Sequence, residues 1–292
     1  RAFTTTVPVP ISGPKAGPTP EPGPTTAPPP APVVDACRVS YPAPIVSGPA
    51  VPDGPADGDC VSRSLTVHPS DPDTFLLGTE RNGFMLSRDG GDTWTRLRAG
   101  LHSKEWGYPE IWDIDFATNN PDIIMAATLG SPESAFGPDV EDGLYRSSDG
   151  GQTWIQLNCG FVNSRVVSVR ISPSNPDVAV VGIEGGFPSF TGSGASQYYP
   201  GGIFRTEDAG QNWTRVTIGP DDERNGFVIM HMATGSQPQL ITVGANHSDT
   251  SQNLGFLRSR DIGVTWESFA PNFRTIDVAT FGLSSDGNTI YV

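Results

Sequence analysis

One eight-residue pattern occurs four times along the chain, and nothing else in it limits the fold so tightly. The copies are Ser87-Arg-Asp-Gly-Gly-Asp-Thr-Trp94, Ser147-Ser-Asp-Gly-Gly-Gln-Thr-Trp154, Thr206-Glu-Asp-Ala-Gly-Gln-Asn-Trp213 and Ser259-Arg-Asp-Ile-Gly-Val-Thr-Trp266. Their tryptophans stand 60, 59 and 53 residues apart. Each copy follows a short apolar run (Gly83-Phe-Met-Leu86, Gly143-Leu-Tyr-Arg146, Gly202-Ile-Phe-Arg205, Gly255-Phe-Leu-Arg258) and precedes another, such as residues 95–97. That order is a β-hairpin with a Ser-x-Asp-x-Gly-x-Thr turn. The short Asp side chain accepts hydrogen bonds from nearby amides and replaces the ladder bonds that a tight turn loses. Glycine takes the positive φ, and the closing Trp buries a large apolar surface against a neighbouring unit. Asp89, Asp149, Asp208 and Asp261, with Trp94, Trp154, Trp213 and Trp266, are therefore read as structural residues.

A second element recurs upstream of each hairpin. His68-Pro-Ser-Asp-Pro-Asp73, Ala117-Thr-Asn-Asn-Pro-Asp122 and Ser172-Pro-Ser-Asn-Pro-Asp177 each precede a β-rich run, with Gly235-Ser-Gln-Pro-Gln239 a degenerate copy and Ser284-Ser-Asp-Gly-Asn288 a fifth. One repeat is thus strand A, a Pro/Asp turn, strand B, a variable loop, strand C, the octapeptide turn and strand D. Four antiparallel strands per unit at this period predict an all-β chain of β-propeller blades. The blades are expected at about 61–97, 110–157, 165–217 and 226–269, with a partial fifth at 274–292. A blade with two of its four strands leaves an open edge. The expectation is therefore a piece of a longer propeller. A self-contained five-bladed ring, closed through residues 38–60, and strands supplied by another chain are the alternatives.

The octapeptides resemble Asp-boxes, also called BNR repeats, which occur in sialidases, the xyloglucanase family, sortilin-type receptors and the photosystem II assembly factor family. The resemblance covers about residues 61–292 and implies the propeller fold. It separates enzymes, receptors and assembly factors poorly, because all of them share the boxes.

Ahead of the repeats, residues 1–36 are nearly all Pro, Thr, Ala, Gly and Val, and 16 of the chain's 29 prolines fall in residues 1–60. Proline fixes φ and donates no backbone hydrogen bond, so the segment reads as an extended spacer or docking strap. Residues 37–60 form a connector bracketed by Cys37 and Cys60. A bridge between them closes a short loop, worth about 3 kcal/mol, and implies an oxidising compartment. Cys159 is then left over, as a buried thiol, as a competitor for one of the other two, or as a bridge to another chain. Together these features place the protein outside the cell, in a periplasm or at the cell surface. The chain opens on Arg1 with no apolar leader run, so a targeting segment is expected to be absent or removed. Net charge is −14, which argues against a nucleic-acid partner. No apolar run approaches the roughly 20 residues of a membrane span.

In a four-stranded blade the A–B and C–D turns share one end and the B–C and D–A loops share the other. The turns are short and regular; the loops carry the insertions and are where binding is expected. They hold Trp106, Tyr108, Phe136, Phe187, Phe190, Tyr198 and Tyr199, a composition suited to sugar rings or to a protein partner, or to packing over the blade tops. Trp112 shares a period of two with Ile114 and Phe116 and is read as core. Two carboxylates flanking a bond are what a glycosidase requires. Glu80, Glu105, Glu110, Glu133, Asp139, Glu141, Asp142 and Glu184 lie at the loop end, and Glu80 and Glu184 occupy matching positions after strand B. They are the catalytic candidates, although no convergent set stands out. The sialidase Arg-Ile-Pro segment and the early acidic motif of the xyloglucanases are not found. Zinc spacings and serine elbows are not found either, so no metal or cofactor is expected. On these grounds the chain reads first as a non-enzymatic interaction or structural module within a larger assembly, with protein partners or a surface glycan. A glycosidase or lectin and a photosystem assembly-factor-like subunit are the alternatives.

Overall fold

The computed structural model describes residues 38–39, 62–102, 107–129, 142–161, 163–185, 201–218, 226–232, 240–246, 255–269, 281–284, 286 and 289–292. Among these the only regular elements are strands. Two residues, β1 (Arg38–Val39), precede the first blade. Blade one is β2 (Ser62–His68), β3 (Asp71–Thr79), β4 (Phe84–Ser87) and β5 (Thr95–Leu97). Blade two is β6 (Glu110–Phe116), β7 (Ile124–Leu129), β8 (Leu144–Ser147) and β9 (Ile155–Leu157). Blade three is β10 (Val166–Ile171), β11 (Ala179–Ile183), β12 (Gly202–Thr206) and β13 (Thr214–Val216). Blade four is β14 (Gly226–Met232), β15 (Ile241–Asn246), β16 (Gly255–Ser259) and β17 (Glu267–Phe269), and a fifth unit shows β18 (Gly282–Leu283) paired with β19 (Ile290–Tyr291). Every pairing is antiparallel and follows chain order within a blade. The first strands β2, β6, β10 and β14 lie side by side as the inner strands of a β-propeller.

Consecutive blades are held by apolar faces in contact. Leu76, Phe84 and Leu86 of blade one meet Ile114, Phe116, Ile124, Ala126 and Tyr145 of blade two. The Phe84 and Trp154 rings stack at 4.0 Å with planes 12° apart. Met125, Ala127 and Leu144 continue the pattern onto Val169, Ile171, Ala179, Val181 and Phe204 of blade three, and from there onto blade four. Each of the larger aliphatic and aromatic side chains among them, fully removed from water, is worth about 2 kcal/mol.

A backbone joint repeats along the outer edge. The Trp154 amide donates to the Ala99 carbonyl (2.9 Å) and the Trp213 amide to the Cys159 carbonyl (2.8 Å). Next to each acceptor lies a glycine at positive φ, Gly100 at 86° and Gly160 at 99°. A Cβ there would stand 1.9 Å from the Trp154 oxygen and 2.1 Å from the Trp213 oxygen. The sequence carries this spacing as Leu97-x-x-Gly100 and Leu157-x-x-Gly160; Gly219, at the same spacing after Val216, lies outside the described residues.

Each inner strand also carries a β-bulge at one matching place. The register slips between Ser62 and Ser64, Ile111 and Asp113, Val166 and Ser168, and Phe227 and Ile229. The bulged residues are Arg63, Trp112, Val167 and Val228, opposite the small residues Gly78, Ala127, Gly182 and Gly244. This corrects the reading of Trp112. The extra residue breaks the alternation, so Ile111, Ile114 and Phe116 are buried while Trp112 is only half-buried.

Residues 40–60, through which the five-bladed alternative would close, lie outside the described residues; residues 38–39 do not pair with the fifth unit. They pair with β9 as a fifth strand on blade two (Arg38 opposite Leu157), and Arg38 Nη2 reaches the Gln211 carbonyl of blade three at 3.1 Å. Cys159 is disulfide-bonded. Cys37 and Cys60, which the sequence reading pairs with each other, lie outside the described residues, as do residues 1–36.

Candidate functional site

At the turn end, the four octapeptides make one and the same bonding circuit. The Ser87 hydroxyl donates to Asp89 Oδ1 (2.8 Å) and accepts from the Gly91 amide (2.8 Å). Asp89 Oδ1 also accepts the Thr93 amide (2.8 Å), and Oδ2 the Thr93 hydroxyl. Ser147, Asp149, Gly151 and Thr153 repeat this, as do Ser259, Asp261, Gly263 and Thr265. In blade three Thr206 replaces the serine and Asn212 the threonine, with Asn212 Nδ2 donating to Asp208 Oδ2 at 2.7 Å. Hydrogen bonds from the Thr93 hydroxyl and amide hold Asp89 below the usual carboxylate range. For Asp149, Asp208 and Asp261 burial is the largest single influence and acts upward, but the hydrogen bonds together outweigh it and the net direction is down. These carboxylates are committed to their own turns. The turn itself uses two left-handed residues, not the single glycine expected. The position before the glycine is Gly90, Gly150, Ala209 and Ile262, all at positive φ.

The loop end is organised differently, around the bulges. Arg63, the bulged residue of β2, places Nε 2.7 Å from Glu110 Oε1 and Nη2 3.7 Å from Glu80 Oε1. Its guanidinium lies 5.4 Å from the ring centroid of Trp112, the bulged residue of the next blade. An indole, a guanidinium and two carboxyl groups from blades one and two thus converge where the inner strands begin. Burial pushes the Glu110 carboxyl up; Arg63 opposes this and neighbouring Glu80 adds to it. A carboxyl biased toward its neutral form beside a second carboxyl is the electrostatic arrangement that acid–base chemistry at a glycosidic bond uses.

Glu80 and Glu184 do sit at equivalent positions, one residue past Thr79 and Ile183 in the β2–β3 and β10–β11 registers. Each pairs with a different arginine, Glu80 with Arg63 and Glu184 with Arg165. Glu184 Oε2 accepts Arg165 Nε and Nη2 at 3.1 and 2.8 Å, and its carbonyl accepts Asn163 Nδ2 at 2.6 Å, which fixes it as a blade-three brace. Asp142 is buried, and its carbonyl accepts Gln156 Nε2 and Asn158 Nδ2. Tyr108 is half-buried against the core with the Arg98 guanidinium 4.6 Å from its ring centroid. Trp106, Phe136, Phe187, Phe190, Tyr198 and Tyr199, with Glu105, Glu133, Asp139 and Glu141, lie outside the described residues. Arg63 and Trp112 are the residues that sequence reasoning missed as a pair. Aligning the small residues Gly78, Ala127, Gly182 and Gly244 across the repeats would have located the bulges.

Deeper along the inner strands, Asp113 and Asp115 of β6 reach across to β10. Asp113 Oδ2 accepts the Val169 amide (3.0 Å) and pairs with Arg170 Nη1 (2.5 Å), and Asp115 Oδ2 accepts the Ile171 amide (2.7 Å). Burial drives the Asp115 carboxyl up to about 7, with Arg170 pulling the other way and Asp113 adding to the rise. Among the described residues, no group of three His, Cys, Asp or Glu side chains converges to hold a metal. No helix among them is long and apolar enough to cross a membrane.

No protein-family model matches the chain. Among curated proteins it is 27% identical over 210 residues to a probable oligoxyloglucan-reducing end-specific xyloglucanase of Neosartorya fischeri, covering 66% of this chain and 23% of that protein. It is 26% identical over 230 residues to a xyloglucanase of Acetivibrio thermocellus, covering 74% of this chain and 26% of that protein. The chain therefore spans about a quarter of the length of these relatives. Among solved structures it is similar to the GH74 xyloglucanase from Xanthomonas campestris (19% identity, TM-score 0.48, 71% of this chain and 29% of that one). It is also similar to YCF48 from Cyanidioschyzon merolae (16% identity, TM-score 0.44, 80% of this chain and 59% of that one).

Proposed function

We propose that this chain is the propeller portion of a secreted or surface-displayed, carbohydrate-directed protein of glycosidase type, acting on a xyloglucan-like polysaccharide. The octapeptides are its Asp-boxes and have a structural role. The observation that carries the reading is the Arg63, Glu80, Glu110 and Trp112 cluster at the loop end, in a chain whose curated relatives are xyloglucanases. Sequence reasoning had ranked a non-enzymatic module first; the relatives favour its carbohydrate alternative. In this reading Trp112 offers an apolar ring to a sugar face. Arg63 donates to sugar hydroxyls and bridges the two carboxyl groups, and Glu110, biased toward its neutral form, is the proton donor.

The test is retardation of the chain in gels containing xyloglucan, with release of reducing ends measured in parallel. The parent should be retarded. Glu110→Gln should keep retardation and lose at least about tenfold of any hydrolysis, whereas Trp112→Ala should lose retardation. A parent that neither binds nor cleaves xyloglucan, cellulose or mixed-linkage glucan would overturn the proposal.

A further inference from the structure

The cluster at the loop end is closed in this structure, and its own arginine closes it. The Arg63 side chain is 36% exposed, against 26% for Glu80 and 12% for Glu110. Its guanidinium stands over the Trp112 ring at 5.4 Å, and its Nε lies 2.7 Å from Glu110 Oε1. The outermost charged group thus rests on the ring face and on the acid that a ligand has to reach. Burial pushes the Glu110 carboxyl up, and Arg63 and the Trp112 indole are among the groups that pull it back, so ring and acid are close neighbours. Trp112 Nε1 and Glu110 Oε1 are nevertheless both shut off from solvent without a hydrogen-bond partner of good geometry. A donor and an acceptor left together in this way match a hydroxyl group, which accepts from the one and donates to the other.

The two acids hold Arg63 unequally. Glu110 has the short contact, whereas Arg63 Nη2 stops 3.7 Å from Glu80 Oε1, about 1 Å beyond the length of a charge-assisted hydrogen bond. Glu80 is therefore a second acceptor within reach of an arginine that leaves Glu110. By contrast, Arg165 of blade three is held on Glu184 through both Nε and Nη2, at 3.1 and 2.8 Å.

We propose that Arg63 is a two-position gate, which rests on Trp112 and Glu110 and opens by transferring to Glu80, exposing the indole face and the acid together. Glu80 is then a positioning residue that acts through Arg63. The charged groups facing Glu110 are Arg63 of β2, Glu80 after β3 and Arg165 before β10. As pH falls through the raised Glu110 value the carboxyl takes a proton, its hold on Arg63 weakens, and the arginine moves to Glu80. A sugar opens the gate at constant pH by the same exchange, its hydroxyls replacing Arg63 on Trp112 and Glu110. That last step rests on the carbohydrate reading above; the gate itself does not.

The experiment is acrylamide quenching of Trp112 fluorescence, taken as the difference between the chain and its Trp112→Phe variant, from about pH 8 to about pH 4 without sugar. In the parent, quenching should rise roughly twofold or more as Glu110 takes its proton and the guanidinium leaves the ring. Arg63→Ala and Glu110→Gln, each measured against its own Trp112→Phe double variant, should be open throughout and show no step. Glu80→Gln should keep less than about half of the step, because no second charge draws the arginine off. Glu80→Asp, which keeps the charge, should restore it. Parent-like quenching in Arg63→Ala at the alkaline end overturns the inference, because the arginine then covers nothing. A full step in Glu80→Gln overturns it as well and returns Glu80 to the catalytic candidates. None of these readings needs a sugar, so they are decided separately from the gel retardation above.

Discussion

The two ends of the blades repeat different things. At the turn end the side chains repeat: Ser or Thr, Asp, Gly and Thr or Asn make the same bonds in all four octapeptides. At the loop end the backbone repeats and the side chains do not. The same bulge occurs in β2, β6, β10 and β14, yet its residue is Arg63, Trp112, Val167 and Val228 in turn. Uniform chemistry on a uniform frame indicates scaffold. A uniform frame presenting different chemistry from blade to blade is a place where one blade can be specialised without disturbing the others, and bulges are well suited to re-aiming a side chain in this way.

The most damaging way to probe the scaffold is through its tryptophans, which are not equal. Trp154 is wholly buried and stacked on Phe84, whereas Trp94 is half-buried. Trp154→Ala should cost about 3–5 kcal/mol in urea unfolding, and Trp94→Ala less than half of that. Equal losses would mean that the turn, and not the interface, sets the value of the ring. Next come the glycines. Gly160→Ala drives a methyl into the Trp213 carbonyl at positive φ and should cost about 3 kcal/mol or more. Gly90→Ala, with nothing nearer than 3.8 Å, pays only the left-handed conformation, about 1 kcal/mol.

A pH series separates the octapeptides from the buried inner strands, because their carboxyl groups are shifted in opposite directions. The octapeptide aspartates have folded values below the unfolded one, so their contribution is present above the unfolded value and is lost as pH falls through the folded values. Asp115 is raised from 3.8 to about 7, so the folded state binds the extra proton and stability declines as pH rises across that window. Asp115→Asn should flatten the decline and make the variant more stable than its parent at pH 8, with little difference at pH 4. Urea midpoints across that range check it, and an unchanged slope would mean that Arg170 keeps the carboxylate charged. The smallest effect concerns the left-handed position before the turn glycine. Ala209→Gly should raise stability by up to about 1 kcal/mol by relieving that conformation. The same change at Ile262 should instead destabilise, because the Ile262 side chain is buried against the core.

The blades were legible in the sequence because hairpin turns are written locally: a short acid, a glycine and a returning Thr or Asn constrain four or five bonds without help from distant residues. The bulges were not legible. A bulge adds one residue and reverses the alternation beyond it, and Trp112 was placed in the core by counting straight through one. Nor could a two-residue strand such as β1 carry a pattern of its own; its partner is set by the free edge of β9 and by Arg38 reaching Gln211. The meeting of Glu80 with Glu110 depends on where two bulges aim, and so it emerged only with the coordinates.

The position of β1 has a mechanical consequence. A pull on the N-terminal tail enters the propeller at β9, on the outer rim of blade two, and does not load β2 first. Cys159, two residues beyond β9, ties a disulfide into the same rim. Tension on the tail is therefore taken up by a cross-linked edge while the loop end of blades one and two, with Arg63, Glu110 and Trp112, stays off the load path.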